Sequence, residues 1–248
     1  MKTTSETGNA KNVAMFDELI AAATGFGSAY NPSKVSILLV EMQKLSYLAK
    51  SALRDINALL PAYSNAVAGR EVAIAPLSQL TTRILNSLKA SDTTSQVIDN
   101  AKTIVRKIQG TRATPKITGA QKAALAAEGK ETNEISASQM SYDNRLENFD
   151  KLIQLLAGIP TYAPNETELQ VASLRVLYDN LLAKNEAVLA ADIPVSNARI
   201  ARNTLLYAPE TGLVDTAMAC KTYIKSVFGA TSPQYKQISK LAFTTIKV

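Results

Sequence analysis

Histidine and tryptophan are absent from this chain of 248 residues, and there is one cysteine, Cys220. Without histidine, the commonest general acid–base group and imidazole metal ligand is missing. With one thiol, neither an intrachain disulfide nor a thiolate metal cluster can form within a single chain. A carboxylate di-metal bundle normally draws on Glu-x-x-His pairs, which cannot exist here. Phosphate-binding fingerprints are missing as well: there is no G-x-x-x-x-G-K-[ST] and no G-x-G-x-x-G, and the GFG at 25–27 follows a helical stretch and reads as its cap. No uncharged apolar run approaches the roughly 18 to 20 residues of a membrane-spanning helix. The opening MKTTSETGNAKNVAMFDELI puts acids ahead of any apolar run, unlike a signal peptide. These absences predict a cytoplasmic protein that is not an enzyme and uses no cofactor and no metal.

Aromatic residues make up 6% of the chain while apolar residues as a whole make up 46%. Sheets are enriched in aromatic and β-branched residues, so this balance, rich in Ala, Leu, Lys and Ser, predicts an all-α fold with enough apolar surface for one large core or two modest ones. The net charge of +6 comes from 27 basic and 21 acidic side chains. Residues 1–115 carry 13 basic and 8 acidic groups, and residues 145–248 carry 11 and 9, so the excess is dilute and reads as a solvated surface.

Two stretches echo each other. KTIVRKIQG at 102–110 returns as KTYIKSVFG at 221–229, and the landmarks ahead of them also pair in order. MFDELI at 15–20 matches NFDKLI at 148–153, Asn31 matches Asn165, and LAK at 48–50 matches LAK at 182–184. Arg70 matches Arg202, and Ala75-Pro76 matches Ala208-Pro209, after which the offset drops from about 132–134 to 119. The reading is a tandem duplication of an up-and-down four-helix bundle unit, with about 14 residues lost from the second copy between Pro209 and Lys221. It divides the chain into a first repeat at 1–112, a linker with a short helix at 113–137, and a second repeat with a C-terminal tail at 138–248.

Within the first repeat, Val35, Leu38, Met42, Leu45, Ala49, Ala52, Ile56 and Leu59 keep a 3-4 spacing that predicts a helix over 32–60, started by Asn31-Pro32 and ended by Pro61. Its counterpart opens at Asn165 and Glu168, spaced as a capping box, and carries Val171, Leu174, Tyr178, Leu181, Asn185 and Val188 on its seam. Asn185 either sets register from inside or points to solvent. A first helix at 10–25 and its counterpart at 138–157 end at Gly25 and Gly158, which suit left-handed caps. A third helix spans 62–90, bent near Pro76. A fourth spans 94–110 with Val97, Ala101, Ile104 and Ile108 on one face, matched by Ala217, Cys220, Ile224 and Val227. Cys220 thus falls on an apolar seam and reads as buried and inert.

Three polar features persist in both copies: Asp17 with Asp150, Ser64-Asn65 with Ser196-Asn197, and Arg70 with Arg202. They read as ties between helices, and the persistence of both charges predicts that Asp17 lies near Arg70 and Asp150 near Arg202. Lys102, Arg106, Lys107 and Arg112, with Lys221 and Lys225 in the second copy, form the candidate contact for nucleic acid or another polyanion. No aromatic side chains interleave with them for base stacking, and cations at a helix C-terminus are favoured by its dipole alone. Tyr235, Ile238, Leu241, Phe243 and Ile246 line the tail SPQYKQISKLAFTTIKV, which is either a cap on its own bundle or an arm that docks on a neighbouring molecule.

The segment KSVFGATSPQYKQISKLAF at 225–243 resembles a closing segment of uncharacterised all-helical proteins of Bacteroidota bacteria. The resemblance implies a bacterial protein with no assigned activity and supplies no site residues. The functional expectation is a structural or protein-interaction subunit that assembles with itself through its helical repeats. The alternative is a helical module for nucleic acid or another polyanion, and a third reading is a helical protein that rearranges to insert into membranes.

Overall fold

The computed structural model describes residues 6–111 and 141–245 together with Thr118 and Ala127. Every regular element among them is helical: α1 (Glu6–Gly25), α2 (Leu39–Ile74), α3 (Leu77–Lys89), α4 (Ser95–Gln109), α5 (Tyr142–Ala157), α6 (Val171–Tyr207), α7 (Leu213–Phe228) and α8 (Pro233–Ser239), with single 3-10 turns at Gly27–Ala29, Val35–Ile37 and Thr167–Leu169. The expected all-α class is what the chain adopts. Among the described residues, no helix is long and apolar enough to cross a membrane.

The helix boundaries differ from the sequence expectation at the prolines. Pro61 does not end a helix but sits inside α2, and Pro194 sits inside α6. Proline removes one helical hydrogen bond and crowds the carbonyl four residues back. Here both prolines, and the residues Asn57 and Ala190 that carry those carbonyls, face solvent, so water can take the freed carbonyl. The expected third helix at 62–90 therefore divides: its first part completes α2, and α3 begins after Pro76. Asn31-Pro32 does not open α2 either. The chain makes a 3-10 turn at Val35–Ile37, passes through an extended Leu38, and becomes α-helical from Leu39. The counterpart repeats this course at Thr167–Leu169 and Gln170, and Glu168 pairs with Arg83 instead of closing a capping box.

Left-handed caps form at other glycines than expected. Gly25 ends α1 and Gly158 has φ −83°, whereas positive φ occurs at Gly27, Gly110 and Gly229. The expected linker at 113–137 lies outside the described residues, apart from Thr118 and Ala127.

Two compact units share the chain: Met1–Tyr63 with Ala191–Val248, and Ser64–Ala190. The expected boundaries at 1–112, 113–137 and 138–248 divide the chain differently, since each unit combines segments from both halves of the sequence.

In the first unit, α1 packs on α7 and α8. Its core contains Phe16, Leu19, Ala23, Tyr30, Met42, Ala49, Leu206, Leu213, Ala217, Cys220, Ile224, Ile238 and Leu241. In the second, α4 packs on α3 and α5. Its core contains Ile84, Leu88, Ala101, Val105, Ile108, Phe149, Leu152, Leu156, Tyr162, Leu174 and Leu181. Positions paired by the sequence echo are buried alike: Phe16 and Phe149, Leu19 and Leu152, Tyr30 and Tyr162, Met42 and Leu174, Ala101 and Cys220. Val35 and Val227, both assigned to seams by spacing, are exposed instead.

Candidate interaction surfaces and polar clusters

Tyr30 and Tyr162 each follow the first helix of their half, and each ring is buried. Tyr30 Oη donates to the Ile37 carbonyl at 2.6 Å and Tyr162 Oη to the Leu169 carbonyl at 2.9 Å, so each phenol ties down the 3-10 turn that starts the next helix. Burial raises both phenols above the ordinary tyrosine range, Tyr162 to about 12. Tyr30 Oη also lies 3.3 Å from Cys220 Sγ, and its ring stands edge-on to Tyr223 at 5.3 Å. Burial pushes the Cys220 thiol up to about 11, so it is protonated and unreactive at neutral pH. The expected inert cysteine fits this surrounding.

The paired polar residues meet partners other than those expected. Asp17 accepts from Ser46 Oγ and pairs with Lys50 at 2.7 Å. Asp150 pairs with Arg175. Each acid thus holds its first helix to the long helix that follows. The acids pair with Lys50 and Arg175 and not with the predicted Arg70 and Arg202.

Arg70 instead donates to Asn185 Oδ1 at 3.0 Å and stacks 3.7 Å over the Tyr142 ring, while Asn185 Nδ2 donates to Asp143 at 2.7 Å. Asn185 is therefore an internal polar contact and does not point to solvent. Arg202 is fully buried and donates to Asn203. Ser64, Asn65, Ser196 and Asn197 all face solvent and tie nothing together.

The candidate polyanion residues fall in both units. Lys102 and Lys107 are exposed on α4 and Arg106 is half-buried there, within the second unit. Lys221 and Lys225 are on α7 in the first unit, and Arg112 lies outside the described residues. Lys221 Nζ donates to the carbonyls of Ser239 at 3.0 Å and Leu241 at 2.8 Å, and its burial lowers its pKa. It holds the tail and is spent on it. Lys225 Nζ sits 5.8 Å from the Tyr235 ring.

The tail folds onto its own unit. Ile238 and Leu241 are buried, and Tyr235 and Phe243 pack partly buried against the same core. Asn12 on α1 clamps it twice, donating from Nδ2 to the Thr244 carbonyl at 2.8 Å and accepting the Thr244 amide at Oδ1 at 3.0 Å. Of the two readings weighed for this segment, the cap describes residues 233–244; Ile246 lies outside the described residues.

An open cleft of about 560 Å³ in the second unit is lined by Arg83, Asn86, Ser91, Thr161, Asn165 and Glu166 among others. These are amides, hydroxyls, one guanidinium and one carboxylate. Among the described residues, no group of three His, Cys, Asp or Glu is placed to hold a metal ion. Sequence reasoning missed the two tyrosine tethers, although both tyrosines stand just before the matched asparagines. It also missed the tie from Tyr207 Oη to Asn9 at 2.6 Å, which no periodicity signals. Compared with protein-family models, curated proteins and solved structures, the chain matches none.

Proposed function

We propose that the chain is a non-enzymatic, helical interaction subunit that associates with copies of itself, built on an internal duplication. The duplication is supported by the paired burial of Phe16 with Phe149 and by the matched tyrosine tethers. Its form is a pair of similar halves sharing two cores, not two self-contained four-helix bundles. The residues missing from the second half correspond in number to α3, which has 13.

The observation that carries self-association is a stripe on α2. The helix buries Met42, Ala49 and Ile56, and on its other side leaves Val40, Tyr47 and Leu48 at 64%, 65% and 40% exposure. Isolated exposed apolar residues are ordinary, but a row at helical spacing supports a contact surface. A second copy fits it. Two such helices crossing antiparallel about Tyr47 and Leu48 set each Glu41 opposite an Arg54, giving the self-complementary charge pattern of a two-fold contact.

The polyanion alternative is less well supported, because Lys221 is occupied by the tail and the basic residues are split between the units. Light scattering coupled to size exclusion across a concentration and salt series tests the proposal. Apolar self-association persists or strengthens with salt, and Tyr47→Asp weakens it. A strictly monomeric protein at high concentration overturns it, and salt-sensitive retention of a phosphate polymer by that monomer would favour the alternative.

A further inference from the structure

Beside hydrogen bonds that stay within one half, such as Ser46 with Asp17 and Asn185 with Asp143, a second set joins residues 6–111 to residues 141–245. In the first unit these are Asn12 with Thr244, Tyr30 with Cys220, and Asn31 with Tyr223; in the second they are Arg70 with Asn185, Arg83 with Glu168, and Thr93 with Thr161. Helix packing also crosses between the halves, with α1 on α7 and α8, and α4 on α5, while α3 on α4 and α7 on α8 stay within one half. Phe26 against Phe228, at 5.1 Å between ring centroids, is another such pair. Neither half contains a complete core. Phe16 and Leu19 of the first half are covered by Leu213, Ala217 and Ile224 of the second, and Phe149 and Leu152 of the second half are covered by Ala101, Val105 and Ile108 of the first.

We propose that residues 6–111 and 141–245 are complementary partners, and that each half accepts its complement from a second copy of this chain as readily as from its own. The two modes use the same side-chain contacts, because none of the contacts between halves requires that the halves share a peptide chain. What separates them is the tether. Residues 112–140, 29 in number, join the two halves in one chain and so hold the complementary half at a raised effective concentration. The closed monomer therefore dominates in dilute solution, and reciprocal exchange between two chains becomes competitive when unfolded chains meet at comparable concentration. This partnership does not depend on the α2 stripe, and Tyr47 makes none of the contacts between halves described above.

The test uses the full chain with a protease recognition sequence inserted between residues 112 and 140, carrying Tyr47→Asp to silence the stripe. After purification and cleavage, the two pieces are expected to elute together at the size of the intact protein and to retain at least about nine-tenths of its helical signal, since the tether supplies effective concentration and not contacts. Two uncut preparations with different affinity tags, unfolded together at high concentration and refolded, are expected to yield a dimer carrying both tags, whereas dilute refolding yields singly tagged monomer. Pieces that separate after cleavage, folded or unfolded, overturn the partnership. Cut pieces that stay together, with no doubly tagged species at any refolding concentration, overturn the exchange. Failure of the stripe proposal would leave both results unchanged.

Discussion

Replacing Gly212 by alanine should destabilise the first unit, and the structure says by how much. Gly212 caps the start of α7 in the five-residue turn from Ala208, with φ −69° and ψ 159°, a region open to any L-residue. Alanine would suffer no backbone penalty there, so the effect is purely steric. A Cβ at this position would lie 2.7 Å from both the nitrogen and the oxygen of Ala208 and 3.0 Å from the Leu206 oxygen, against an ordinary contact of 3.4 Å or more. All three are backbone atoms, and the turn is pinned by Gly212 N donating to the Ala208 carbonyl at 2.8 Å and Thr216 N to the Gly212 carbonyl at 2.9 Å. Overpacking typically costs about 1–3 kcal/mol, and a neighbour that cannot rotate away belongs in the upper half of that range, about 2–3 kcal/mol. The stiffer unfolded chain returns about 0.4–1 kcal/mol, leaving a net loss of about 1–2.5 kcal/mol. Gly69, inside α2, is the matched control: nothing lies within 4 Å of its Cβ position, so alanine there should stabilise by about 0.5–1 kcal/mol. Urea unfolding followed by far-UV circular dichroism reads both as midpoint shifts at constant slope. A Gly212→Ala midpoint at or above that of the parent, or a lowered midpoint for Gly69→Ala, would refute this account of the turn and of α2.

The matched tethers predict matched losses: Tyr30→Phe and Tyr162→Phe should each cost about 1–3 kcal/mol by leaving a buried carbonyl without its donor, and an effect below about 0.5 kcal/mol at both sites would contradict the role given to them. The neutral forms of Cys220 and Tyr162 are favoured by burial, their pKa values rising from 9.0 to about 11 and from 10.0 to about 12. A raised acid pKa contributes stability that is complete below the unfolded value and is lost above it, so unfolding midpoints should hold below pH 9 and decline between pH 9 and 12; a midpoint rising over that interval would reverse the assignment. Deleting residues 231–248 removes Ile238 and Leu241 from the first core, at roughly 1.5–3 kcal/mol for each buried side chain, and should lower stability without changing oligomer size. A smaller assembly after truncation would restore the arm reading of the tail.

The helical class was legible because composition alone disfavours sheet, and the buried row of Met42, Ala49, Ala52 and Ile56 followed from its spacing. The boundaries at Pro61 and Pro194 were not legible, since whether a proline ends a helix depends on which way the carbonyl four residues earlier faces, and that is a property of the packed molecule. The expected pairing of Asp17 with Arg70 failed for a related reason. The recurrence of two charges at matched places carries no information on whether they meet each other. Lys221 read as a surface cation because sequence gives no hint that a tail returning 18 to 20 residues later presents two bare carbonyls to it. The tyrosine tethers were within reach, since Tyr30 and Tyr162 occupy matched places, but a lone aromatic beside a Pro-containing turn carries no signal of what its hydroxyl meets.

The clamp between Asn12 and Thr244 has a consequence for biosynthesis. Its two ends are separated by 232 residues, so the first unit cannot close until Thr244 has been made. The second unit, Ser64–Ala190, can close earlier. At about 5–20 residues per second, the apolar side of α1 waits on the order of 10–40 s between the synthesis of Phe16 and that of Cys220, the stretch that will cover it. During that interval the apolar side of α1 has no intramolecular cover from α7.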